Sequence, residues 1–331
     1  MKTRNFRSPF QSCMFLNFPS SSLCQITIAA TLGALAFFPA ANAATVTWDG
    51  EANDGALTNG INYVSNVAPV SGDSLIFAGG TGTQFTANTV VNAYAANIEF
   101  AGISSDASAG TFVIGQTGNP VINLTGNIGS DSVQTQTINN PLALTASRAV
   151  GVTSRFGAMS LGGVLSEIGG SGFGLTKTGS GLLTLSGANT FTGPVIINGG
   201  TLAISSGGTG SAQQLGNGAP GAASITLNGG TLRVTAAVTL SANRGIVLGS
   251  GGGTFGQFTN STTTFNGVIS GGANAFTKTG QGFLVLGGTN TYTGPTTVNQ
   301  GTLWLDYSQV AAPASNIINS GSALVLGGAS T

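Results

Sequence analysis

Apolar residues fall on alternate positions in short runs along most of the chain beyond residue 44. Leu183 and Leu185 flank Thr184, and Leu202 and Ile204 flank Ala203. The same beat returns at Leu284, Val285 and Leu286, and again at Leu303, Trp304 and Leu305. A period of two over such a length makes a short strand with one buried face. Between the runs stand Gly179-Ser180-Gly181, Gly193-Pro194 and Asn198-Gly199-Gly200. Glycine reaches positive φ, and proline removes a ladder donor where the chain must turn. Earlier strands are expected within 74–77, 97–100, 111–114 and 121–124. No amphipathic helix is visible beyond residue 43.

These runs belong to a longer unit. Residues 175–205 recur at 276–306, 101 positions further on, without a gap. Leu175-Thr176-Lys177-Thr178-Gly179 becomes Phe276-Thr277-Lys278-Thr279-Gly280; Asn189-Thr190-Phe191-Thr192-Gly193-Pro194 becomes Asn290-Thr291-Tyr292-Thr293-Gly294-Pro295. Smaller echoes surround it. Asn228-Gly229-Gly230-Thr231-Leu232 copies Asn198-Gly199-Gly200-Thr201-Leu202, and Gly163-Val164-Leu165-Ser166 answers Gly267-Val268-Ile269-Ser270. A unit reused at fixed spacing points to an array. Two architectures fit. In a parallel β-solenoid, coils of about 20 to 25 residues stack about a dozen high. Alternatively, Asn198-Gly199 is a hairpin turn within antiparallel ribbons. The solenoid is the better fit, because the shared apolar positions form inward rows.

Composition sharpens this picture. Only 5% of residues are charged, against about 25% in ordinary soluble domains. The 9 Lys+Arg and 9 Asp+Glu leave no field to attract nucleic acid. Hydrophobic residues make up 41%, too many for a disordered glycine-rich linker.

Residues 1–43 read as a signal peptide. Lys2, Arg4 and Arg7 precede an apolar stretch from Ile26 to Ala36, and Ala41-Asn42-Ala43 offers small-x-small cleavage. The apolar stretch is shorter than the roughly 20 residues of a membrane span, so the mature chain from Ala44 is expected not to cross a membrane. Cys13 and Cys24 leave with the leader, so no thiol chemistry or disulfide is expected afterwards. Residues 44–160 then form an N-terminal β-rich solenoid region, and 161–331 a solenoid carrying both long repeats.

The side-chain inventory argues against catalysis. The chain has no histidine, which removes Ser-His and Cys-His nucleophiles and imidazole metal sites. Asp73, Glu99, Asp106 and Asp131 are scattered carboxylates, expected as solvated turn residues. Grouped by stacking, they are the one set that a polysaccharide lyase or glycosidase would use. Asp49-Gly50-Glu51-Ala52-Asn53-Asp54 starts like a calcium loop but has Asp54 where the turn glycine belongs. Gly79-Gly80-Thr81-Gly82-Thr83-Gln84 has Gln84 where a calcium nonapeptide needs Asp. Lys177 and Lys278 are expected as solvated lysines that guard a sheet edge. Trp304 is expected to point outward and to lie along a neighbouring coil, and Tyr307 follows it. No catalytic, cofactor-binding or metal residue is expected.

The two long runs resemble the autotransporter-associated β-strand repeat, also called the passenger-associated transport repeat. The shared pattern is Leu-Thr-Lys-Thr-Gly-x-Gly-x-Leu-x-Leu-x-Gly, then Asn-Thr-Tyr-Thr-Gly and Val-x-x-Gly-Thr-Leu. Phe191 stands for its Tyr in the first copy, and Gln300 for a small residue in the second. The resemblance implies a right-handed β-helical passenger at the surface of a Gram-negative cell, serving as a stalk or adhesive scaffold. Surface polysaccharide or other cell-surface components would be its partners. It brings no enzymatic residues. Such proteins end in a β-barrel with strands of about 10 alternating residues. No run of this chain has that pattern, so the expectation is a barrel beyond Thr331 or a separate translocation partner.

Overall fold

A computed structural model of the protein describes residues 43–327 apart from 53, 80–88, 91–97, 116–119, 171, 205–212, 218–224, 241 and 259. The expected signal peptide with Cys13 and Cys24, and the turn from Gly80 to Gln84, lie outside the described residues.

The fold is an all-β parallel solenoid. Successive strands go to three faces in turn, and each strand pairs in parallel with the strand one coil away. Face I stacks 10 strands from Thr45–Trp48 to Ile269–Ser270, and face II stacks 11 from Thr89–Val90 to Leu324–Leu326. Face III has two blocks of 4, from Ile98–Phe100 to Leu165–Glu167 and from Val238–Leu240 to Thr302–Leu305. One coil takes 20 residues where Leu175 pairs with Val195, and 30 where Val195 pairs with Ile225. The expected early strands appear as Ser74–Phe77, Ile98–Phe100, Val113–Ile114 and Ile122–Leu124.

The antiparallel alternative is overturned. Asn198-Gly199-Gly200 joins Val195–Ile197 on face I to Thr201–Ile204 on face II, two strands that belong to different sheets. Gly200, at φ 60, lets the chain turn this corner between faces.

Alternation fills the interior. Ile138, Leu161, Leu185, Ile204 and Val234 occupy one register row on five consecutive strands of face II, all buried. Each such side chain contributes about 1.5–3 kcal/mol of burial, against a backbone ordering cost of about 1–2 kcal/mol for every residue. A three- or four-residue strand with two inward side chains is therefore unstable alone. Only stacking makes it hold.

The N-terminal edge is covered. Asn62 accepts from the amide of Asp49 at 2.9 Å, and Val64 donates to Thr47 O at 3.0 Å, so residues 62–64 lie against the free side of the first strand. Tyr63 stands edge-on to Trp48 with ring centres 5.2 Å apart, over the buried Leu57. Such a cover keeps an edge strand from pairing with other chains. Among the described residues, no helix is long and apolar enough to cross a membrane.

Candidate functional site

The repeat is a two-coil cassette. Its first copy runs Leu175–Thr178 on face I, Leu182–Leu185 on face II, Val195–Ile197 on face I and Thr201–Ile204 on face II. The segment between Leu185 and Val195 crosses the third side without a strand. In the second copy the corresponding strands, Phe276–Thr279 to Thr302–Leu305, lie on faces II and III, and the strandless segment crosses face I. The same sequence is therefore mounted one face further round the axis. It fits because all three faces present largely apolar inward rows.

Lys177 and Lys278 correct the sequence expectation. Neither is solvated; both are 0% exposed. Lys177 sits in an inward row between Val150 and Ile197, and Lys278 between Phe255 and Val298. Lys177 Nζ donates to Thr178 O at 2.7 Å, Gly179 O at 2.8 Å and, one coil on, Gly199 O at 3.4 Å. Lys278 Nζ repeats this with Thr279 O at 3.0 Å, Gly280 O at 2.6 Å and Gln300 O at 3.0 Å. Three donors meet three corner carbonyls and tie two coils together. Burial pushes each ammonium down to about 8, while the carbonyls favour its charged form. The physical reason was in the strand period: Lys177 is two residues from the inward Leu175, hence inward itself.

An asparagine does the same for the strandless segment. Asn189 Oδ1 accepts from Leu165 N at 2.8 Å, one coil back, and its Nδ2 donates to Gln214 O at 2.7 Å, one coil ahead. Asn290 bridges Ile269 N at 2.8 Å and Ile317 O at 2.9 Å in the same way. The side-chain amide stands in for the missing strand. Phe191 and Tyr292, both fully buried, fill the column beside it. Sequence reasoning missed these roles, because an Asn-Thr pair before Gly-Pro looks like an ordinary turn.

The carboxylates do not form one site. Asp73 is 5% exposed and caps the coil, accepting from Ala44 N and Val70 N at 2.8 Å each. It is thus buried, contrary to its expected place as a solvated turn residue. Glu99 lies on face III, on the strand Ile98–Phe100. Asp106 and Asp131 follow the paired Ser105 and Ser130, so they stack one coil apart beside a shallow cavity of about 160 Å³. Asp106 accepts from Ser108 Oγ at 2.6 Å, and Asp131 from Thr153 Oγ1 at 2.7 Å. In the acidic loop after Trp48, Asp54 accepts from Asn59, Asn62 and the Ala56 amide, and the Asn59 bond foremost holds its carboxyl below the usual range.

The outer surface carries aromatic rings. Trp304 is 56% exposed and Tyr307 51%. The expected packing of Trp304 along a neighbouring coil is reduced to its register with Val285, because no described strand follows Thr302–Leu305 on face III.

Comparison with known proteins agrees with this construction. Residues 175–204 and 276–305 each match the passenger-associated-transport-repeat family. The chain is also similar to the adhesin BmaC autotransporter of Brucella suis biovar 1 (strain 1330), at 36% identity over 154 residues. That stretch covers 46% of this chain and 4% of the relative, so the chain matches only a small section of that protein. No solved structure gives a significant match. Both repeats match that family and are built as equivalent two-coil cassettes, so the chain carries two autotransporter-associated repeats.

Proposed function

We propose that this chain is a non-catalytic section of an exported passenger, held at the surface of a Gram-negative cell as a stalk and adhesion scaffold. The observation that carries the reading is the pair of passenger-type cassettes in one parallel solenoid, in a chain similar to an autotransporter adhesin. The distinctive polar residues of the cassette, Lys177, Asn189 and their copies, are spent on joining coil to coil. That chemistry builds length. Residues 1–43 serve as the signal peptide in this reading, 44–160 and 161–331 are successive regions of one solenoid, and a β-barrel in the same polypeptide or a separate translocation partner carries it outward. Surface polysaccharide or other cell-surface components are its partners.

The test is to label intact cells with antibody to the solenoid and to measure their attachment after deletion of the gene. Labelling of unbroken cells and reduced attachment are expected. Labelling only after lysis, or unchanged attachment, overturns the proposal.

A second reading, a carbohydrate-active solenoid, rests on Asp106 and Asp131 stacked beside an open cavity. Incubation of the purified chain with pectin, alginate and β-glucan decides it. Cleavage abolished by Asp106→Asn or Asp131→Asn would replace the scaffold with an enzyme.

A further inference from the structure

We infer that the outer side of face III, in its block from Val238–Leu240 to Thr302–Leu305, is a binding platform for a neutral polysaccharide. The inference rests on the adhesion reading and gives it a ligand class and a place. Three neighbouring strands here align Thr262 with Phe283 and Thr302, and Thr264 with Val285 and Trp304. These six positions alternate with the inward Thr263, Leu284 and Leu303 and with Phe265, Leu286 and Leu305, so they share the outer side.

The grid is aromatic and hydroxylated. Phe283 is 41% exposed and Trp304 56%, and as diagonal neighbours on adjacent parallel strands their backbones stand roughly 8 Å apart. Val285, paired with Trp304 and two positions from Phe283, is 4% exposed, so its neighbours cover it. Threonine hydroxyls at 262, 264 and 302 surround them. A pyranose ring has an apolar C–H face for an aromatic ring and hydroxyls at its edge for such donors and acceptors. Phe258 extends the surface past the corner from face II, with the Arg233 guanidinium 4.7 Å from its ring centre.

Charge selects the class of polymer. From Gly245 to Gly327 the only charged residues are Lys278 and Asp306. Lys278 is buried under its carbonyls, and Asp306 accepts hydrogen bonds from Ser308 and Gln309. No exposed cation of this stretch meets an anionic polymer, and the one guanidinium at its margin, Arg233, is already engaged with the Phe258 ring. A neutral glucan loses nothing here.

The experiment is native affinity electrophoresis of the purified chain in gels containing mixed-linkage β-glucan, dextran or polygalacturonate. Retardation by a neutral glucan is expected. It should weaken about tenfold in Trp304→Ala and in Phe283→Ala, and persist in Trp304→Tyr. Phe156→Ala is the control, since Phe156 is 70% exposed on the connection between faces I and II. Because Trp304 is a surface residue, the variant's thermal melt should match the parent's. The inference is overturned if neither neutral glucan retards the chain, if only polygalacturonate does, or if both alanine variants run like the parent. Concentration-dependent dimerisation abolished by Trp304→Ala, without glucan retardation, would assign the surface to a second copy and also overturn it. The gel uses isolated protein. An unchanged attachment phenotype therefore defeats the adhesion reading while leaving the gel result to stand, and the reverse holds.

Discussion

The hydroxyl of Tyr292 lies 2.6 Å from Oγ1 of Thr296, both fully buried, and Thr296 Oγ1 continues to Ser322 Oγ at 2.9 Å. At the same two places the first repeat has Phe191 and Val195, also fully buried. The two cassettes thus solve one packing position in two ways, as a hydrogen-bonded pair and as an apolar pair. A buried hydroxyl needs a partner, so the two residues must change together.

Tyr292→Phe alone should lower stability by about 1–2 kcal/mol, because Thr296 loses one of its two partners. Tyr292→Phe combined with Thr296→Val reproduces the first repeat and should cost less than the sum of the single changes. Urea denaturation of the four proteins measures the coupling. Additive losses would show that the two side chains act independently.

The buried lysines make stability rise with pH. Their folded values lie at about 8, against 10.5 in the unfolded chain. Between these limits the unfolded state binds more protons, so raising the pH from 8 toward 10 favours the fold. Tyr292 acts oppositely. Burial foremost raises its phenol above the ordinary 10, so its contribution is complete below that pH and lost above it. The urea midpoint should climb from pH 8 to 10 and then turn down. A midpoint that falls steadily from pH 8 to 10 contradicts this account.

Replacing Lys177 by Met keeps the aliphatic stem and removes the donors from three carbonyls. A loss of about 2–4 kcal/mol is expected, far above the change of a surface lysine. Equilibrium unfolding of Lys177→Met and Lys278→Met should give similar losses, since the two corners are built alike. A change within about 0.5 kcal/mol would return these lysines to the surface role that their charge suggests.

The inward phase of Leu183, Leu185, Leu202 and Ile204 was legible in the sequence, and with it the solenoid. Alternation alone decides which side of a strand is buried, and the shared rows decide in favour of stacking. Lys177 was misread because its charge was weighed above its phase with Leu175. The bridging role of Asn189 was hidden for a different reason: its partners, Leu165 and Gln214, are 24 and 25 residues away. Nothing local marks them. The rotation of the second cassette was hidden too. An offset of 101 residues fixes no whole number of coils when a coil takes anything from 19 to 30. Asp106 and Asp131 met one coil apart for the same unreadable reason of coil length.

Gly280 tests the corner geometry. Its φ is +76°, and an added Cβ would stand 2.2 Å from Gln257 O of the preceding coil. Both the left-handed backbone and the contact with a carbonyl oppose any side chain. Gly280→Ala should therefore destabilise by about 2–4 kcal/mol, whereas Gly272→Ala, with open space around it, should cost only its backbone term of about 1 kcal/mol. Thermal melts of the pair distinguish a shared backbone cost from the added clash.

Asn189→Asp converts the interstrand bridge into a titrating one. The carboxylate can still accept from Leu165 N, but it has no proton to give Gln214 O, and it is buried. Burial raises its folded pKa above the unfolded value of about 3.9, so the folded state holds the proton longer. Stability should accordingly be near that of the parent in acid, where the neutral carboxyl donates to Gln214 O, and should fall as the pH rises through the folded value. Asn189→Leu removes both bonds and should be weak at every pH, by about 2–4 kcal/mol. Urea midpoints from pH 4 to 8 separate the cases. If Asn189→Asp shows no more pH dependence than the parent, Asn189 is not the polar rung that replaces a strand on this side of the solenoid.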